Sequence, residues 1–246
     1  MNDTADGVTR LPWMEKTAGV TGVPAVITLP GTPGSVRSDR TKGTGMSRTT
    51  GSHGPKTMEA IAKAGLRLIY EHGYEAMSLR HLAAEVGIQV GSLYNHISTK
   101  QDLLFGLLRT HMEDLLGDLD RALADAGGVE DRLRAFVGFH VHYHIARKRE
   151  VFICYSELRS LDPDHYEVIV GLRRDYERRL IAILEQGAAE GRFAGGDAAV
   201  AAYGILAMLT GVCNWFRPRG RLGADEVVAL YTRMVLNAVA PRDPAA

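Results

Sequence analysis

From Pro55 onward the apolar residues fall into helical steps. Met58, Ile61, Ala62, Gly65, Leu66 and Ile69 stand at i, i+3, i+4, i+7, i+8 and i+11, which paints one stripe along a helix. Pro55 suits the first turn, where its missing N–H costs nothing, and Gly73 suits the stop. Ser78 then stands as an N-cap before Leu79, Leu82, Ala83 and Val86, again at helical spacing. Gly87 ends this second helix where a positive φ is easiest. Only Ile88, Gln89 and Val90 are left for a connection. The pattern predicts a third, short helix from Val90 to Ile97, with Val90, Leu93 and Ile97 facing inward.

Beyond residue 105 the chain reads as helix throughout, without strand or repeat signals. Breaks are expected at "DPD" (162–164) and "GRFAGGD" (191–197). "VAAYGILAMLTGVCNWF" is apolar nearly all round, which predicts burial on more than one side, by its own domain and by a second subunit. The first fifty-odd residues read differently. "TLPGTPGSVRSDRTKGTGMSRTTGSHGP" is dense in Gly, Ser, Thr and Pro and has no period. The expectation is an all-α chain with a disordered arm over 1–54, a three-helix domain over 55–108, a larger helical domain over 109–240 and a tail at 241–246. Met46 is an alternative start. Arg37, Arg40, Lys42 and Arg48 are phosphate contacts if the arm is a working part.

Composition changes this picture little. Lysines and arginines number 29 and so do the carboxylates, so any nucleic-acid footprint must be local. Two cysteines far apart, Cys154 and Cys213, argue against a disulfide framework and fit a reducing cytoplasm. No uninterrupted run of about 18 apolar residues is present, so no membrane span is expected.

Two short helices joined by a tight turn after glycine make a helix-turn-helix, the second helix aimed at a duplex. Gly91 and Ser92 let the backbone approach closely, while Gln89 and Asn95 carry amides that pair with base edges. Tyr94, His96 and Lys100 reach toward phosphates, and Ser78 with Arg80 marks a helix N-terminus suited to another. With Val90 at the start of the third helix, the candidate DNA-binding set is Ser78, Arg80, Gln89, Val90, Gly91, Ser92, Tyr94, Asn95, His96 and Lys100. Residues 46–100 hold six lysines and arginines against four glutamates, modestly basic as a DNA footprint requires.

Residues 55–108 resemble the DNA-binding domain of TetR-family transcriptional regulators. The family's pattern of second helix, "G-(I/V)", small residues, "LY-x-H" and "K-x-x-L(L)" stands here as "SLRHLAAEVGIQVGSLYNHISTKQDLL", with Ile97 where an aromatic is usual. The resemblance implies a homodimer built on the last two long helices, a palindromic double-stranded operator and a small-molecule effector. Within the family, "HYHIARKREVFICYSELRSL", "LRRDYERRL" and "GVCNWFRPRGRLGADEV" are similar to a subgroup that senses acyl-CoA thioesters. Candidate effector residues are Phe139, Tyr143, Arg147, Phe152, Arg174, Arg178, Trp215 and Arg217. Phe136 and Met208 would join the apolar lining, and Lys148, Arg149, Arg173, Arg219 and Arg221 the basic clusters.

Other readings compete with this one. The basic runs also read as a solvated face, the aromatics as core, and Arg217-Pro218 as a helix stop. A drug-responsive efflux regulator is the alternative within the family; an enzyme or a constitutive DNA-binding protein is the alternative outside it. His140 and His144 share a face at i, i+4, as zinc helices do, but no third ligand is evident and packed histidines are the plainer reading. No nucleophile–base order, CxxC, phosphate-cradling loop or paired-carboxylate signature is present, so no catalysis, cofactor or metal is expected.

Overall fold

The computed structural model describes residues 54–241. The expected arm, with its four basic residues, and the tail thus lie outside the described residues, apart from Gly54 and Pro241. The helices are α1 (Gly54–His72), α2 (Leu79–Val86), α3 (Val90–Leu93), α4 (Lys100–Ala124), α5 (Val129–Ala146), α6 (Lys148–Ser156), α7 (Pro163–Ala189), α8 (Ala198–Thr210), α9 (Val212–Trp215) and α10 (Ala224–Val239). A 3-10 turn, Leu158–Ser160, joins α6 to α7. No strand occurs among the described residues, so the expected all-α class holds. The described chain divides into two compact units: 54–118 with 147–176, and 119–146 with 177–241.

In the first unit, α1 buries Ile61, Ala62, Gly65, Leu68 and Ile69. The stripe therefore runs through Leu68 rather than Leu66, because α1 is covered from two sides. Gly65 abuts Leu103 of α4, where an added Cβ would stand 3.1 Å from a leucine methyl. On another side lies α6, whose Phe152 meets the Tyr70 ring edge-on at 5.2 Å. Gly73, at φ 81°, closes α1 by donating its N–H to the Ile69 carbonyl at 2.8 Å. Cys154 is buried in α6, and loss of hydration pushes its thiol pKa up to about 11.

The third helix is shorter than its pattern predicts. After Leu93 the hydrogen bonds become mixed: Asn95 and His96 N–H reach back three residues, to the Ser92 and Leu93 carbonyls, while Ile97 N–H still reaches the Leu93 carbonyl four back. Its length is limited by the start of α4. There Thr99 and Asp102 cap each other reciprocally, through N–H to carboxylate at 2.9 Å and N–H to hydroxyl at 3.0 Å.

In the second unit α5 is the central element, packed against α8, α9 and α10. It buries Phe136, Val137, His140, Val141 and His144 among others. The His140 and His144 rings stack at 3.7 Å and 10°. His140 Nε2 meets Thr210 Oγ1 at 3.2 Å, and His144 Nδ1 lies 2.8 Å from the His140 carbonyl, so Nδ1 carries the proton. Phe193 folds back over Gly187, where any methyl would overlap its ring, and the Ala194 N–H is bonded to the Val239 carbonyl at 2.8 Å. One stretch bears on the expectation about membrane spans. The segment Ala198–Trp215 is long and apolar enough, by length and composition, to cross a membrane. Gly204, Thr210, Gly211 and Asn214 interrupt the run residue by residue, but the stretch as a whole stays apolar.

Burial of the stacked pair makes both imidazoles poor bases: His140 falls well below the ordinary histidine range, and His144 falls to about 4. The unfolded chain, with ordinary histidines, takes up protons that the folded chain refuses. Their stabilisation is thus complete above about pH 6.5 and is lost as pH falls toward 4. For His144 the loss is on the order of 3 kcal/mol. Urea unfolding followed from pH 7.5 to 4 should therefore show a steeper loss of stability in the native chain than in His144→Leu. Parallel curves would show that the pair does not titrate in this way.

Candidate functional site

The candidate interface is built on two caps. Ser78 holds an extended backbone, φ −116° and ψ 149°, and its Oγ accepts the His81 N–H at 3.1 Å. The hydroxyl keeps its own proton for an outside acceptor. At the other end of α2, Gly87 sits in the left-handed region at φ 75°. Its N–H bonds the Ala84 carbonyl and the next N–H, of Ile88, bonds that of Ala83. A side chain at Gly87 would strain the turn that swings α3 away from α2. Leu82, Ala83 and Leu93 at 0% exposure and Ile97 at 2% weld the two short helices to the unit's core.

That core leaves one face outward. Arg80, Gln89, Gly91, Ser92, Tyr94 and Asn95 are exposed, while Val90 and His96 are half-buried. Gln89 occupies the N-cap position of α3 but makes no side-chain cap bond, so its amide is not spent on the helix. Arg67 binds Glu71 at 3.0 Å and also Glu85, holding two carboxylates that would repel a phosphate backbone. Lys100 also has a structural partner within the unit. Its Nζ donates to the Glu75 carbonyl at 3.0 Å and lies 4.2 Å above the Tyr74 ring, so it ties α4 to the α1–α2 turn. Two further N–H donors remain on that ammonium for a phosphate.

The expected effector residues are divided between the units. In the first, Arg147 pairs with Asp114 at 3.6 Å, Phe152 packs on Tyr70, and Arg174 is exposed. Arg173 lies over Tyr155 at 4.4 Å. In the second, Phe139 and Tyr143 pair at 5.3 Å on α5 and Arg178 is exposed. Trp215 is 47% exposed, and its Nε1 donates to Tyr231 Oη at 3.2 Å. Arg217 closes the end of α9, with Nη1 donating to the Asn214 and Phe216 carbonyls at 3.3 and 3.0 Å. Helix stop, one of the two readings of that arginine, is thus visible in its contacts. Phe136 is core, beneath the stacked histidines.

Sequence reasoning passed over Tyr74, Gln101 and Glu157. The Glu157 carboxylate accepts the Tyr74 N–H at 3.4 Å, and the Gln101 amide donates to the Ser160 carbonyl at 2.6 Å. Tyr74 is 5% exposed; burial first, and then the nearby carboxylates of Glu75, Asp162, Asp102 and Glu157, raise its phenol pKa.

Residues 61–107 match the family model for bacterial regulatory proteins of the tetR family, and residues 126–239 match that for the tetracyclin repressor-like C-terminal domain. The chain belongs to the TetR family. TetR proteins are transcriptional regulators rather than enzymes. Among curated TetR proteins the chain is 26% identical to the HTH-type transcriptional repressor KstR2 of Rhodococcus jostii, over 78% of this chain and 94% of that one. A solved TetR-family protein from Rhodococcus RHA1 superposes with TM-score 0.71 at 28% identity, over 76% of this chain and 99% of that one. AibR, solved in complex with isovaleryl coenzyme A and operator DNA, superposes with TM-score 0.65 at 27% identity, over 76% and 100%.

The exposed amides give a sharp test. Gln89→Ala and Asn95→Ala should each weaken specific operator binding by about 1–3 kcal/mol while leaving non-specific duplex binding nearly unchanged. Competition of labelled operator against scrambled duplex measures both. Full specific affinity in both variants would remove this turn from the major groove.

Proposed function

We propose that the chain is a ligand-responsive repressor that grips a palindromic operator as a homodimer and releases it when a hydrophobic effector binds. The observation that carries the reading is the outward row Gln89, Ser92, Tyr94 and Asn95 on a turn fixed by Gly87. In this reading residues 55–108 read DNA, and 109–240 hold the effector and the partner copy, all within the cytoplasm. Support for the dimer comes from the second unit. Val200 and Tyr203 on α8, with Leu230 and Met234 on α10, are between 41% and 63% exposed. So many large apolar side chains on two helices that both pack on α5 call for a cover, and a two-fold copy supplies it. The same cover accounts for a span-like segment in a DNA-binding protein.

Support for an acyl-CoA effector comes from AibR, a similar protein solved with isovaleryl coenzyme A. The thioester's apolar end suits an aromatic lining such as Phe139 and Tyr143, and its phosphates suit an arginine of the same unit such as Arg178. To release DNA it must prefer the state that cannot bind operator, because equal affinity for both states shifts nothing.

Two outcomes are expected. Met234→Asp sets a charge into the dimer cover, so it should sediment as a monomer and lose operator affinity by about tenfold or more while its helical content stays. A dimer that survives this change would place the two-fold elsewhere. In operator complexes followed by fluorescence anisotropy, some acyl-CoA in a chain-length series should release DNA, while free acids and CoA alone do so poorly. Release by a drug-like cation but by no thioester would point instead to an efflux regulator.

A further inference from the structure

The stretch between Glu157 and His165 reaches back to the DNA-reading elements at three places, all inside the first unit. Glu157 Oε1 accepts the Tyr74 N–H at 3.4 Å, while its Oε2 accepts the Ser160 hydroxyl at 2.9 Å. Gln101 uses both ends of its amide. Its Nε2 donates to the Ser160 carbonyl at 2.6 Å, and its Oε1 accepts the Asp162 N–H at 3.3 Å. Lastly, the His165 ring stacks on Phe105 at 4.0 Å and 10°.

These contacts sit at two anchor points. The reading turn, Gly87 to Ile97, is suspended between the α1–α2 turn on one side and the start of α4 on the other. On the first side Tyr74 follows Gly73 directly, so its N–H has no helical partner and Glu157 supplies the acceptor. The direction in which α2 leaves α1 is thereby fixed, and α3 follows α2 because Gly87 and Leu93 lock them. On the second side Gln101 lies in the first turn of α4, two residues after the Thr99 cap. Lys100 joins the two anchors, donating to Glu75 and covering Tyr74. One short segment, 157–162, therefore grips both supports of the row that faces DNA.

We propose that Glu157 and Gln101 are positioning residues for operator recognition: neither reaches the outward row, yet both set where it stands. The inference rests on the DNA-binding reading above. A groove-reading amide tolerates only small displacements before its pair of hydrogen bonds to a base edge is lost, whereas phosphate contacts tolerate more. Loosening either anchor therefore lowers specific binding and spares non-specific binding.

The test uses the full chain and the tightest duplex that it selects from a random pool. Glu157→Met and Gln101→Met remove the hydrogen bonds at similar size. Each should weaken that duplex about tenfold relative to a scrambled one, with active fractions fixed by stoichiometric titration. Glu157→Gln keeps an oxygen for Tyr74 N–H and an amide for Ser160 Oγ, so it should restore the native ratio. Should a methionine variant fail to fold, Gln101→Glu sets a carboxylate against the Ser160 carbonyl at unchanged size and should lower the ratio likewise. The proposal is overturned if these variants keep the native ratio, or if Glu157→Gln loses as much as Glu157→Met. A native chain that selects no duplex at all would overturn the DNA-binding reading itself, a different result from either.

Discussion

A reading element of four helical residues cannot hold its own shape in water. Helix nucleation is unfavourable, and even good helix formers need about 12–15 residues to be marginally stable alone. The α3 turn spends its apolar residues on the core through Leu93 and Ile97, which leaves its polar row with no internal support. Several features of the first unit answer that deficit. Gly87 fixes the hinge, the Thr99–Asp102 box fixes the exit, and residues drawn from 147–176 complete a body that α1 to α4 alone leave open.

Charge is handled with similar economy. The whole chain is neutral, so attraction for a polyanion has to arise from placement. Arg67 does this by holding Glu71 and Glu85 together, while Arg80 stays exposed beside the α2 cap. Such partly exposed pairs contribute little to stability, commonly below about 1 kcal/mol. Their effect is instead on the local potential that a phosphate meets.

What was legible in the sequence was what neighbours decide. Ser78 as a cap, Gly73 and Gly87 as stops, and Leu93 and Ile97 as inward anchors depend on residues within about one helical turn. Leu68 in place of Leu66 depended on the packing of α6 over α1, which no local period reports. Gln101 with Ser160, and Tyr74 with Glu157, pair across 59 and 83 residues through ordinary polar side chains. Nothing in their immediate sequence marks them. The aromatic and arginine candidates show the converse weakness. Phe152, Trp215 and Arg217 were grouped by residue type, but each is first occupied by a neighbour: Tyr70, Tyr231 and a helix end.

The thiol of Cys154 sits in α6, the helix that lies on α1. With its pKa raised to about 11 by burial, little of it is thiolate at neutral pH. Peroxides and alkylating metabolites react with thiolates, so they find little to attack at this buried thiol. At this position α6 is thereby insulated from the redox state of its surroundings.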